Sequence, residues 1–131
     1  MKRIICLFFS YCALLPLSAA NHYVAVSGND TQDGLSWGTA VSTLQTAINA
    51  ADKGDTVFVS AGAYQQSITL KDGVNVFGGY DVITGERNVD ANLTILDGTT
   101  LKTPLVVATK ATTIPVYVDG FILQNANHTS A

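Results

Sequence analysis

The chain has 131 residues, a formal net charge of −3 and a hydrophobic content of 47%, and that length holds a single domain. Beyond residue 20 the basic residues are Lys53, Lys71, Arg87, Lys102 and Lys110, set singly among ten acidic ones. Nucleic-acid and anionic-membrane surfaces need clustered Lys and Arg, so both are excluded as partners.

Lys2 and Arg3 precede an apolar run over residues 4–17, and Ser18-Ala19-Ala20 follows with the small residues that a signal peptidase reads. Residues 1–20 therefore read as a signal peptide cleaved after Ala20, giving a secreted or cell-surface product. The run is shorter than the roughly 20 residues of a membrane-spanning helix. Cys6 and Cys12 both lie inside it. The processed chain then has no thiol, which excludes disulfides, thiol catalysis and zinc thiolates and leaves stability to packing.

His22-Tyr23-Val24-Ala25-Val26 alternates as a strand. Residues 27–34 are rich in turn formers and lead to Trp37, the single tryptophan, whose burial is expected to anchor this segment. Ser42-Thr43-Leu44-Gln45 fits a capping box, with Ser42 as N-cap and Gln45 reaching back to it. Leu44, Ala47, Ile48 and Ala51 form one apolar stripe, so a helix of about three turns is predicted, closed by Gly54 in the left-handed conformation. A helix so short needs a surface to lie on.

From Thr56 the period becomes two. Val57-x-Val59-x-x-Gly62, Val74-x-Val76-x-x-Gly79 and Leu93-x-Ile95-x-x-Gly98 share a template, and Val116-x-Val118-x-Gly120 shares it with one residue deleted. Recurrence at roughly 20 residues predicts a solenoid whose units bury their apolar faces by stacking. Further β-prone runs at 67–70 and 105–108 put more than one strand in each unit, and residues 81–92 read as a polar excursion at a corner. No 3.6-residue stripe recurs, so the solenoid is not helical; a parallel β-helix is the layout that fits. Asp72-Gly73, Asp97-Gly98 and Asp119-Gly120 are hairpin signals, and they make an antiparallel sandwich the competing reading.

Three stretches carry a resemblance. They are Ser27-Gly28-Asn29-Asp30-x-x-Asp33-Gly34-x-Ser36-Trp37, Thr43-Leu44-Gln45-x-Ala47, and Gly54-Asp55-Thr56-Val57-x-Val59-x-x-Gly62-x-Tyr64. Together they resemble the opening of secreted bacterial right-handed parallel β-helix proteins of the pectin-lyase-like superfamily. Val76-Phe77-Gly78-Gly79-Tyr80, Thr94-Ile95-Leu96-Asp97-Gly98 and Val118-Asp119-Gly120-Phe121 look like rungs of that group. The resemblance implies an all-β right-handed parallel β-helix over residues 21–131, its first coils capped by the short helix. It also implies that the chain is the N-terminal portion of a longer protein.

Pectate-type lyases, as the resemblance implies, use an Arg or Lys base with calcium as electrophile, on central coils beyond this chain. Arg87 and Lys71 are the candidate bases, and both read as solvated surface charges; no catalytic, cofactor or metal residue is assigned. Asp97 and Asp119, each before a glycine and 22 residues apart, would stack in register and could recruit calcium, though Asp-Gly is also ordinary turn chemistry. The Asn29-Asp30-x-x-Asp33-Gly34 loop lacks the EF-hand pattern and reads as a turn. Tyr64, Phe77, Tyr80 and Phe121 could stack on sugar rings if exposed, but aromatics near strands more often pack internally, so core or ladder packing is the favoured reading. His22 and His128 have no partner spacing, and Asn29, Asn92 and Asn127 begin glycosylation sequons.

The favoured function is a non-catalytic adhesion or glycan-contact scaffold whose partner is a polysaccharide or cell-surface glycan. The start of a lyase or hydrolase acting on acidic glycans is the second reading, and a purely structural cap the third. Calcium belongs at most to the longer protein.

Overall fold

The structure is a computed structural model that describes residues 18–108 and 113–126. The apolar run at 4–17, Lys110, His128 and the Asn127 sequon lie outside the described residues. Among the described residues nine strands are present: β1 (Asn21–Val24), β2 (Thr56–Ser60), β3 (Gly62–Tyr64), β4 (Ile68–Thr69), β5 (Asn75–Tyr80), β6 (Thr94–Asp97), β7 (Val106–Val107), β8 (Val118–Asp119) and β9 (Phe121–Gln124). A 3-10 turn at Trp37–Thr39 and one helix, α1 (Leu44–Ala50), are the other elements among the described residues. Among the described residues no helix is long and apolar enough to cross a membrane.

The strands form three sheets, ordered β1-β2-β5-β8, β3-β6-β9 and β4-β7. Every pairing between these strands is parallel. From β2 onward the chain visits the first, second and third sheets in turn, then repeats that order. The hairpins that the Asp-Gly pairs suggested do not form: Asp72-Gly73 is a turn in which Val74 N donates to Lys71 O at 3.1 Å, between strands of different sheets.

The repeated glycine template is corrected by the registers. Val57 pairs with Val76, not Val74, and Gly62 faces Thr94, while Val76 opposite Val118 keeps the template's alignment. The Leu93-Ile95-Gly98 copy belongs to the second sheet. Apolar alternation ending in a corner glycine suits any of these strands, so the template marks strands without telling which sheet takes them.

Inward side chains of all three sheets meet α1 in one core of Val24, Leu44, Ile48, Val57, Val76, Leu96 and their neighbours. The helix packs against β1, β2 and β4. It is shorter than expected and its start is not a capping box. Thr43 is the N-cap and its side chain makes no capping bond. The free N–H groups are met from a distance: Asp30 Oδ1 accepts from Ser42 N and Thr43 N at 2.9 Å each, and Gln66 Oε1 accepts from Leu44 N at 2.8 Å. Gln45 instead bonds Asn49 and the backbone of Thr69. Gly54 is left-handed (φ 97°) but lies in the turn that follows, its N–H donating to Gly73 O.

Candidate functional site: an aromatic face on the first sheet

Alternation in β1, β2 and β5 turns His22, Val24, Val57, Val59 and Val76 inward and their sequence neighbours outward. Three outward residues are aromatic and lie in register, Tyr23 opposite Phe58 and Phe58 opposite Phe77, with Asp119 next in the row. All three rings are half-buried.

Two further rings join them from outside the regular alternation. Trp37 is delivered by the 3-10 turn, which Ser36 caps by accepting from Thr39 N at 3.2 Å and which Asp33 braces through the Thr39 hydroxyl at 2.6 Å. The tryptophan is half-buried rather than enclosed. Tyr80 arrives through an irregularity: the register shifts between Phe58 and Ser60, so that Ser60 opposes Tyr80. One extra residue on β5, at Gly78-Gly79, turns Tyr80 to the face it would otherwise avoid, and Gly79 takes φ 93° there.

The result is a closed circuit of four rings. Tyr23 meets Trp37 edge-on at 4.9 Å between centroids, Trp37 meets Tyr80 at 5.8 Å, Tyr80 meets Phe58 at 4.6 Å, and Phe58 meets Tyr23 at 5.6 Å. Rings at these separations are in mutual contact, so the cluster is a platform and not a cage.

The excursion at 81–92 is a compact turn that returns onto β5. Asp81 N donates to Glu86 O, and Asn88 N to Gly79 O. It places the Arg87 guanidinium carbon 5.3 Å from the Phe77 centroid and 5.9 Å from that of Tyr80, within cation–π range. Arg87 Nε donates to Gly78 O at 2.9 Å and Nη2 to Asp119 Oδ2 at 2.5 Å. Arg87 in turn holds the Asp119 carboxyl below the usual range. Burial pushes the Tyr80 phenol upward, against the nearby guanidinium.

Two open clefts adjoin the platform, one at Tyr80 and one at Trp37. One, of about 300 Å³, is lined by Val26, Ser27, Ser60, Ala61, Tyr80 and Asp81, with Val82 at its margin. The other, of about 240 Å³, is lined by Ser27, Asn29, Gln32, Trp37 and the backbone around Gly28 and Gly38. Asp81 Oδ1 accepts from Ile83 N and Thr84 N at 2.8 Å each, and the Thr84 and Ile83 N–H groups lower its pKa.

The sequence candidates divide accordingly. Phe77 and Tyr80 are on the platform. Tyr64 is core, 2% exposed, with its hydroxyl bonded to Ser60, and Phe121 packs half-buried against the core. Asp97 and Asp119 do not stack. They lie in different sheets, where Asp97 faces Gln124 and Asp119 faces Phe77, because 22 residues is not the interval between equivalent strands here. Asp97 instead accepts from Thr99 and Asn125.

Lys71 Nζ caps the end of α1 through Ala51 O and Asn49 O. In the 29–34 loop Asp30 caps α1 and Asp33 bonds Leu35 N and the Thr39 hydroxyl, so the two carboxylates serve different turns. Among the described residues no three His, Cys, Asp or Glu side chains gather as metal ligands. In the Asn92 sequon Thr94 is 1% exposed and Asn92 Nδ2 donates to Gly79 O. His22 does have a partner: its Nε2 lies 3.1 Å from Asp55 Oδ2, with both residues buried.

Tyr23, Trp37 and Phe58 are the platform residues that sequence reasoning missed. Tyr23 and Phe58 each sit between two inward residues of a strand, a signal already present in the alternation. Neither a family model, nor a curated protein, nor a solved structure matches this chain.

Proposed function

We propose that this is an exported right-handed parallel β-helix protein of the pectin-lyase-like kind, and that the aromatic face of its first sheet is a non-catalytic contact surface for glycans. The fold part of this reading is supported by the cyclic visiting of three parallel sheets, with one helix against β1, β2 and β4. Motifs carry the assignment to that superfamily, and the basic start with its Ser18-Ala19-Ala20 end carries export.

The observation behind the function is the four-ring platform, half-open to solvent and adjoined by two clefts that share Ser27, one mixed and one polar. Aromatic faces stack on the C–H faces of pyranose rings, and hydroxyl, amide and carboxylate groups beside them bond the ring hydroxyls. Arg87 Nε and Nη2 bond Gly78 O and Asp119, and Lys71 Nζ bonds Ala51 O and Asn49 O. That favours contact over proton abstraction.

Trp37 is the single tryptophan and lies on the platform, so its emission is a direct reporter. Titration with soluble oligosaccharides, both neutral and uronic, is expected to shift or quench it saturably, and Tyr80→Ala is expected to weaken the response about tenfold, the loss of one stacking ring. An emission unchanged by every oligosaccharide, together with no retention on insoluble polysaccharide, would end the glycan-contact reading.

A further inference from the structure

We infer that the aromatic face selects uncharged pyranosides and turns away uronates, an inference that rests on the glycan-contact reading above. A carboxylate-bearing sugar needs a cation free to receive it. Neither cleft is lined by Lys or Arg. The cation on the platform, Arg87, gives Nη2 to Asp119 and Nε to Gly78 O, and its face lies over Phe77 and Tyr80. A uronate reaching it would meet Nη1 alone, because Nε and Nη2 are already taken, and would lie beside the Asp119 carboxylate.

The negative groups are placed to do the reverse. Asp81 lines the cleft beside Tyr80, and its backbone partners bond Oδ1, which leaves Oδ2 to accept from a ring hydroxyl. Asp119 continues the outward row directly after Phe77. A sugar carboxylate on the platform would thus lie in the field of Asp81, with the Arg87 charge already offset by Asp119. A neutral sugar would meet only acceptors for its hydroxyls and the exposed polar groups of Ser27, Asn29 and Gln32. Like-charge juxtaposition is a standard source of rejection.

The test compares cellohexaose with hexagalacturonate by Trp37 emission and calorimetry on the secreted chain. Cellohexaose is expected to bind at least about tenfold more tightly, and the gap is expected to narrow as salt is raised. Asp119→Asn frees the Arg87 guanidinium and is expected to bring hexagalacturonate toward the neutral ligand. Asp81→Asn, on an exposed turn, is expected to do so in part while weakening cellohexaose; circular dichroism checks that both variants keep the fold.

Hexagalacturonate binding as tightly as cellohexaose overturns the inference and leaves the glycan-contact reading standing. So does a preference for cellohexaose that neither variant nor salt alters, because its origin is then not charge. Binding of neither ligand removes both.

Discussion

Arg87 and Asp119 are joined by an ion pair, Nη2 to Oδ2 at 2.5 Å, that ties the 81–92 turn to the last strand of the first sheet. The same guanidinium covers Phe77 and Tyr80. Because Asp119 is exposed, stacking and not charge is the larger part of what Arg87 contributes. Arg87→Ala is expected to cost about 1 kcal/mol, read as a fall of about 5 °C in melting temperature. Asp119→Asn is expected to cost less, and Arg87→Lys not to restore the loss, since an ammonium is not planar. Equal losses for Arg87→Ala and Asp119→Asn would assign the effect to the pair.

Asp55 anchors the start of the sheet and is 6% exposed. Burial pushes its carboxyl up, but the N–H groups of Ala20 and Asp52 and the His22 ring outweigh that, and the pKa is lowered. Its ionised form therefore stabilises the fold at pH values above the ordinary aspartate value of about 3.9. That contribution is lost as pH falls through the lower folded value. Asp55→Asn is expected to flatten part of the decline in melting temperature on acidification. An unchanged acid slope would place the decline on carboxylates nearer the surface, such as Asp30, Asp72 and Asp97, which are also lowered. Asp55→Ala at pH 7 is expected to cost about 1–3 kcal/mol by orphaning buried donors; in a chain processed after Ala20, Asp52 N and His22 are the donors that remain.

Gln66 bridges α1 to the sheets, accepting from Leu44 N and donating to Ser42 O at 3.1 Å. Gln66→Ala is expected to lower stability by about 1 kcal/mol, as the loss of an N-cap does. Gln45→Ala, the change that would break a capping box, is expected to cost less. Urea denaturation of the two variants decides the order, and the reverse order would return the cap to the local sequence.

Gly78 and Gly120 face each other where β5 meets the turn between β8 and β9. A Cβ on Gly78 would stand 2.5 Å from Gly120 O, and one on Gly120 2.6 Å from Gly78 O, with Gly120 also at φ 80°. Backbone cannot yield as a flexible side chain does. Gly78→Ala and Gly120→Ala are each expected to cost about 1–3 kcal/mol. Gly54→Ala, which meets no atom within 4 Å, is expected to pay only the positive-φ strain of roughly 1 kcal/mol. Thermal melts of the three variants give the comparison.

Much of the interior was legible in the sequence. The stripe of Leu44, Ala47, Ile48 and Ala51 is buried throughout, as are Val24, Val57, Val59 and Val76, because period and apolarity together dictate which side of an element avoids water. Half of the platform was equally available, since Tyr23 and Phe58 lie on the opposite parity of those same strands. Tyr64 lies in the core, the packing favoured for an aromatic near the strands. Its ring is apolar enough for the core and its hydroxyl finds Ser60 there, a partner that adjacency in sequence does not announce.

By itself the sequence determined the element types, the inward residues, the polar balance and the absence of cysteine after residue 20, all of which follow from local composition and period. Only the tertiary structure decided which strands share a sheet, because any alternating run with a corner glycine can pair with any other. It also decided that Tyr80 faces outward, since one extra residue at Gly78-Gly79 inverts the parity that the strand would otherwise keep. Arg87 over Phe77, and Asp30 and Gln66 at the start of α1, belong to the same class. Each joins groups far apart in the chain, where only the closing of loops brings donor to acceptor.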